Sequence, residues 1–329
     1  MTAVAAQRLR QSAPATVSIT TTDQYGLPAD VDGGGAVTVT ITNSAGTALA
    51  TAAATTAAGS GVYTYDLAAS DLATLDELSL VWHDVDNDVD WYSSARVVGG
   101  FLFTIAEARA YDAVLADDVK YPNGLLASRR DEVEAEAEWI CDRSFVPAYR
   151  LVICDGKGTP DLALPVNDVR TIRSVTVYDE IGGTGTAFTA AQLAKTFSPA
   201  QGVLRRTDGD VFPFGQALIH VGVEYGLDGP PRDMPAAAIT RLRSRLLAPR
   251  TGLPERARSM TDPQGNSYAL SEPDPYSTGI DSVDSTYGRY SLRRRQGRDG
   301  SPEAGGHLPV STTLSYDPQW YGIFRGGPR

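Results

Sequence analysis

Apolar and polar residues alternate with a period of two through much of residues 15–98. Val17 and Ile19 flank Ser18, and Val37, Val39 and Ile41 alternate with Thr38, Thr40 and Thr42. Tyr63, Tyr65 and Leu67 alternate with Thr64 and Asp66; Leu78, Leu80 and Trp82 follow, then Trp91, Ser93, Ala95 and Val97. A period of two turns one side of each strand inward. Gly33-Gly34-Gly35, Asn43-Ser44-Ala45-Gly46, Gly59-Ser60-Gly61 and the Asp-rich run 84–90 supply the turns between them. Short alternating strands joined by such turns predict a small β-sandwich over 15–98. Residues 1–14 precede it as an arm, and Gly99-Gly100 reads as a hinge after it.

Beyond the glycine pair the period lengthens. Thr104-Ile105-Ala106-Glu107 is a capping box, in which the Thr hydroxyl and the Glu carboxylate each satisfy a backbone amide of the first turn. Ala108, Tyr111 and Leu115 extend that helical stripe, and Pro122-Asn123-Gly124 breaks it. A second helix is expected from about Leu125 to Cys141, with Leu126, Val133, Ala137 and Ile140 on one face and Arg130 paired with Glu134. Strands return at 148–154, 162–166, 169–178, 202–205 and 217–225. Asp233 then caps a helix carrying Ile239, Leu242 and Leu246, which Pro249 should end. The expectation for 101–260 is a helical domain with a β insertion at about 148–225, so the class is α+β and multi-domain.

Residues 261–329 hold 7 Pro and 10 Gly, together 17 of 69 positions, a level at which independent folding is doubtful. The same stretch carries Tyr268, Tyr276, Tyr287, Tyr290, Tyr316, Trp320, Tyr321 and Phe324, whereas disordered linkers are poor in aromatics. It reads as an extended arm that orders against a partner.

Charge sharpens the picture. The 329 residues carry a formal net charge of -11. Residues 1–120 hold 15 acidic and 5 basic side chains, a balance of -10, and the remainder holds 25 and 24. That balance disfavours nucleic acid as the main ligand, because phosphate binding needs clustered Lys and Arg. Only Cys141 and Cys154 are present, too few for a disulfide scaffold, and reduced core thiols are expected. Neither lies in 15–98, so that unit would be immunoglobulin-like in shape only. The opening MTAVAAQRLRQSAP has no apolar run of signal-peptide type, and no stretch reaches the roughly 18 apolar residues of a membrane span, so no membrane is expected.

Little of the candidate chemistry survives inspection. The run His83 to Asp90 invites calcium, but the EF-hand pattern wants Gly where Val89 stands and Glu where Ala95 stands. Gly156-Lys157-Gly158-Thr159 lacks the earlier Gly of a phosphate loop, since position 151 is Leu, and reads as a hairpin turn; Gly182-Gly183-Thr184-Gly185 reads as a loop. His83, His220 and His307 have no second ligand at metal spacing. No Gly-x-Ser-x-Gly elbow occurs, and Cys141 sits on a packing face. Glu132, Glu134, Glu136 and Glu138 read as a solvated or subunit-facing helix surface. No metal, cofactor or catalytic set is expected. The one basic cluster, Arg289-Tyr290-Ser291-Leu292-Arg293-Arg294-Arg295-Gln296-Gly297-Arg298, suits an acidic protein surface better than nucleic acid, given the overall acidity.

The segments Phe103 to Tyr111, Ala127 to Glu134, Cys141-Asp142-Arg143-Ser144-Phe145-Val146-Pro147, Tyr225-Gly226, Pro230 to Ala237 and Tyr276 to Asp284 follow one another in an order that resembles the head–tail adaptor (connector) proteins of long-tailed phages. The resemblance covers roughly 103–290, and the unit at 15–98 looks like an appended module. It implies a small helical adaptor domain with a β insertion and a ring of about twelve copies. It also implies partners: a portal protein, a stopper or tail-completion protein, and DNA passing through the lumen without sequence reading. An acidic balance suits a channel that should not hold DNA tightly. Portal or neighbour docking is assigned to Tyr276, Ile280, Val283, Tyr287, Arg289, Tyr290, Arg293, Arg294 and Arg295, because Tyr and Arg are enriched at binding hot spots. The competing readings are an immunoglobulin-like surface-adhesion protein, which would carry a secretion signal, and a hydrolase with an unrecognised site, which would need a paired base and nucleophile.

Overall fold

Eight short strands form the N-terminal unit: β1 (Gln7–Arg10), β2 (Ala15–Thr20), β3 (Val37–Thr42), β4 (Ala48–Ala54), β5 (Thr56–Gly59), β6 (Val62–Leu67), β7 (Asp76–Asp84) and β8 (Val89–Val98). The computed structural model describes residues 6–23, 25–31, 36–180, 182–200, 202–251, 259–261, 267–269 and 276–292. One sheet runs β1-β8-β7-β3-β4 and the other β2-β6-β5. The inward positions of both meet in one core: Val39, Ile41, Leu78, Leu80, Trp82 and Val97 from the larger sheet, Val17, Tyr63 and Leu67 from the smaller. Burial alternates residue by residue along β3 and β7, as the period-two pattern requires.

Sequence periodicity missed three strands of this unit. β4 (ALATAAA) and β5 (TAAG) consist of alanine, threonine and glycine, whose alternation carries almost no apolar contrast. β1 lies inside the expected arm 1–14. It pairs in parallel with β8, from Gln7 opposite Ala95 to Arg10 opposite Val98. The acidic run closes the β7–β8 hairpin: the Asp84 carboxylate accepts hydrogen bonds from the backbone amides of Asp86 (3.0 Å) and Asn87 (3.4 Å) and from Asn87 Nδ2 (2.8 Å).

Gly99 is packed rather than free to hinge. Its amide donates to Pro147 O at 2.8 Å, and a Cβ there would stand 2.8 Å from Pro147 Cγ. The helices that follow are α1 (Ile105–Tyr111), a 3-10 turn (Ala113–Ala116) and α2 (Asn123–Cys141). The capping box at Thr104 and Glu107 forms in full. Asp142, in the left-handed region at φ 55°, stops α2.

Between α2 and α4 (Met234–Thr251) lie seven strands and the one-turn helix α3 (Ala190–Leu193). β9 (Ala148–Lys157), β11 (Val169–Tyr178), β12 (Gly185–Ala187) and β15 (Phe214–Tyr225) make a sheet ordered β12-β11-β15-β9. β10 (Asp161–Ala163), β13 (Thr196–Ala200) and β14 (Val203–Arg206) make a second, ordered β10-β14-β13. Val152, Cys154, Val175, Ile219, Val221, Leu162, Leu204 and Phe212 fill the space they enclose. The turn 156–159 therefore joins two sheets and is not a hairpin. α4 continues to Thr251, past the Pro249 expected to end it. A small hairpin, β16 (Ser259–Thr261) with β17 (Ser267–Ala269), and α5 (Asp281–Tyr290) complete the described chain. The whole is an α+β protein with more sheet than helix.

Candidate functional site

The expected docking segment begins with a stack. Tyr276 lies on Trp139 of α2 with ring centroids 4.7 Å apart and planes 27° from parallel. Asp284, in the first turn of α5, accepts from the Thr278 amide and hydroxyl, each at 2.7 Å, and from the Ser277 hydroxyl, so the helix ties down the loop that leads into it. Asp281 and Asp284 stand in the first turn and Arg289 in the last, the polarity the helix dipole favours.

The apolar face of α5 turns inward. Val283 and Tyr287 are fully buried among Ile140, Cys141, Met234, Ala237 and Ala238, and Ile280 and Tyr290 pack at the edge of the same core. Tyr290 Oη donates to Asp233 Oδ1 at 2.7 Å and its ring meets Phe145 edge-on. Arg289 reaches Asp233 at 3.1 Å. The Leu292 amide donates to Cys141 O at 2.8 Å. Docking through Val283 and Tyr287 is thus corrected: these side chains already have a partner, the helical core of their own chain. Their apolar area leaves water without help from a second protein. Tyr276 and Arg289 stay exposed. Arg293, Arg294 and Arg295 lie outside the described residues.

The adaptor-like segments meet one another. Arg143 clasps Asp168 with two hydrogen bonds of 2.8 Å. The Leu227 amide donates to Ser144 O at 3.1 Å. Gly226 sits at φ 100°, and a Cβ there would stand 2.2 Å from Val146 O, so both conformation and space demand glycine. Phe103, Ala108, Val133, Phe145, Met234, Ala237 and Val283, drawn from five of those segments, occupy one core.

The carboxylates of α2 are not a solvated surface. Arg8 of β1 sends Nη2 to Glu138 Oε1 at 2.7 Å and places Nε 3.2 Å from Glu134 Oε2, while its amide donates to Asp131 Oδ2 at 3.0 Å. Arg130 reaches Asp131 at 3.1 Å and lies 3.4 Å from the Phe101 ring centroid. The Leu102 amide donates to Glu134 Oε1 at 2.7 Å. Burial pushes the Glu134 carboxyl up to about 7 against the pull of Arg8 and Arg130, and raises Asp131 likewise. Burial would also raise Glu138, but the Arg8 charge and hydrogen bond hold it below its ordinary value. Glu136 is clasped by Arg241 at 2.8 Å and Arg245 at 3.0 Å. Glu132 pairs with Arg129 at 2.7 Å. This cluster joins β1 to α2 across more than a hundred residues, and no local spacing announces it.

The remaining candidates are structural. Burial pushes both thiols up to about 12, so Cys141 and Cys154 carry no thiolate near neutral pH. The His220 ring meets that of Tyr178 at 4.5 Å and a tilt of 48°, and burial lowers its pKa. Among the described residues no group of three His, Cys, Asp or Glu could hold a metal, and no helix is long and apolar enough to cross a membrane.

No protein family and no curated protein matches the sequence. Among solved structures, the chain is similar to one described as the neck of an empty GTA particle computed with C6 symmetry. That match has a TM-score of 0.37 and 16% identity, and it covers 60% of this chain and 92% of the other. At that score the two backbones agree too loosely for any property to pass from one to the other.

Proposed function

We propose that this chain is a structural virion protein, a head–tail adaptor of the neck of a long-tailed phage-type particle. About twelve copies form a ring between the portal and the stopper or tail-completion protein, and DNA passes through the lumen unread. The convergence of the adaptor-like segments on one core carries the reading. Segments as far apart as Phe103 and Val283 pack together, with the Gly226–Val146 contact and the Arg143–Asp168 clasp fixing their mutual position. The role is structural rather than catalytic: the buried thiols are protonated near neutral pH, and the carboxylates of α2 are committed to arginines.

The eight-stranded unit reads as an immunoglobulin-like module. Its order matches strands G, F, C and C′ in β8, β7, β3 and β4, and strands B, E and D in β2, β6 and β5. Docking to the portal or a neighbour falls to the exposed Tyr276 and Arg289 with Arg293, Arg294 and Arg295, while Ile280, Val283, Tyr287 and Tyr290 hold the helix that presents them. An adhesion protein would want the β unit free to reach outward, and Arg8 locks it to α2 instead. Particles assembled without this protein should yield DNA-filled heads lacking tails, and purified protein should restore tail joining. Heads that take tails equally well without it would sink the assignment.

A further inference from the structure

Among the described residues, the two most exposed of the large apolar side chains are Val119, 91% exposed, and Phe214, 84% exposed. Each is presented by a rigidly built corner. Val119 stands in the bend between the 3-10 turn and α2. Arg109 pins that bend by donating to Leu115 O at 2.7 Å, Tyr121 O at 2.8 Å and Asn123 Oδ1 at 2.9 Å. Leu115 and Tyr121 are buried, while Tyr111 and Val114 of the same 111–120 stretch are exposed. Phe214 stands at the start of β15, opposite Lys157. Gly156 lets the chain close there, since a Cβ on it would meet Pro213 O at 1.7 Å. The strand then bulges between Gly215 and Ile219, with the Ala217 amide held by Asp155 Oδ1 at 2.8 Å. Bulges re-aim side chains.

The two corners are complementary. The first presents Val119 among the exposed carboxylates of Asp117 and Asp118 and the single ammonium of Lys120, a net acidic set; the second presents Phe214 beside the exposed ammonium of Lys157. They belong to different cores, helical and β-insertion. Between them along the chain lie the full length of α2 and of β9, roughly 27 and 30 Å by the rise of helix and strand. Two unlike, complementary patches on one protomer are what a head-to-tail contact requires, and such contacts give a ring when the rotation between copies closes and a filament when it does not. Preorganised corners also lose little conformational entropy on docking.

We infer that the 111–120 corner of one copy docks on the 156–158 and 213–215 corner of the next, Val119 against Phe214 and Asp118 against Lys157, and that this repeated contact closes the ring. The inference rests on the ring reading above and names the surface that makes it. The test uses the full-length protein and two variants, Val119→Glu and Phe214→Glu, both at positions open to water, with circular dichroism confirming the fold. Native mass spectrometry should show rings for the wild type and monomers for either variant. A one-to-one mixture of the variants should give heterodimers and nothing larger, because each retains the half-site the other has lost. Rings from either variant, or a mixture that stays monomeric, would overturn the contact while leaving the ring intact. A wild-type chain that stays monomeric alone and on portal-bearing heads would overturn the ring as well.

Discussion

Replacing Glu134 by Gln should stabilise the protein at pH 8 and leave it unchanged only below about pH 4.5. Three carboxylates, Asp131, Glu134 and Glu138, face two guanidiniums, Arg8 and Arg130, in a largely buried cluster; Arg96, which also acts on Glu138, is itself paired with Glu77. One negative charge is therefore in surplus. Glu134 is the most deeply buried of the three acids, and its Oε2 accepts no hydrogen bond. Its carboxyl titrates at about 7 in the folded chain against an ordinary 4.5. A folded value above the free one means that the native state holds the proton more tightly. The stabilisation is then complete below pH 4.5 and is lost as the pH rises through 7. Across that interval the loss is about 3 kcal/mol.

Gln keeps the oxygen that accepts from Leu102 and imitates the protonated acid. The variant should therefore gain up to about 3 kcal/mol over the wild type at pH 8, and the gain should shrink as the pH falls and vanish only below the ordinary value of 4.5. Removing one partner of a buried ion pair ordinarily costs about 3–5 kcal/mol, which is the opposite sign. The surplus carboxylate decides between the two, because Arg8 keeps Glu138 and Arg130 keeps Asp131 after the change. Urea midpoints at pH 5, 6, 7 and 8 for both proteins measure it. A variant less stable than the wild type at pH 8 would refute the reasoning and show that Glu134 is ionised and needed in the native cluster.

Gly226→Ala should cost about 3 kcal/mol, from the left-handed backbone and the approach to Val146 O, and a urea midpoint within 0.5 kcal/mol of wild type (about 0.5 being ordinary surface scatter) would contradict it. Tyr287→Phe removes a buried hydroxyl that has no hydrogen-bond partner and should be neutral or slightly stabilising, whereas Tyr287→Ala should cost about 3–5 kcal/mol; equal losses in thermal melts would show that the hydroxyl matters. Ending the chain after residue 275 removes α5 and uncovers its core, so dye binding to exposed apolar surface should rise sharply; an unchanged signal would mean that α5 packs only loosely. Arg289→Ala should leave stability within about 0.5 kcal/mol while lowering tail joining, and undiminished joining would remove Arg289 from the docking group.

The strands readable in the sequence are those with strong contrast between β-branched or aromatic residues and threonine or serine, as in β3 and β7. β4 and β5 lack that contrast. β1 is four residues long, and its parallel partner lies near position 95, so nothing local marks it. The helices announced themselves through caps and stripes, yet the buried face of α2 carries Arg130, Asp131 and Glu134. Sequence rules place charge outside unless it is paired, and the pair, Arg8, sits in a segment that reads as an arm. The C-terminal segment shows the same limit. Its aromatics do signal a segment that docks, but the sequence reads as an extended arm rather than the ten-residue helix α5, and the pattern cannot say whose core receives it.

Both described ends of the chain close on one element. Arg8 enters beside the middle of α2 from the N-terminal side, and α5 seals the C-terminal end of α2 through Tyr287, Ser291 and Leu292. The helix that receives both is thus also the one that joins the β unit to the adaptor-like core. This arrangement has a mechanical consequence for a neck protein. A segment continuing past Leu292 departs from a fixed point at the end of α2, beside the exposed Trp139–Tyr276 stack. The β unit, in turn, departs from a fixed point on the same helix through Arg8 and the packed Gly99–Pro147 contact. Load applied to either would reach the other through α2 instead of being lost in a hinge. A linker inserted between residues 98 and 101 should therefore weaken the joint through the lost Gly99 packing, while the Arg8 cluster continues to hold β1 to α2.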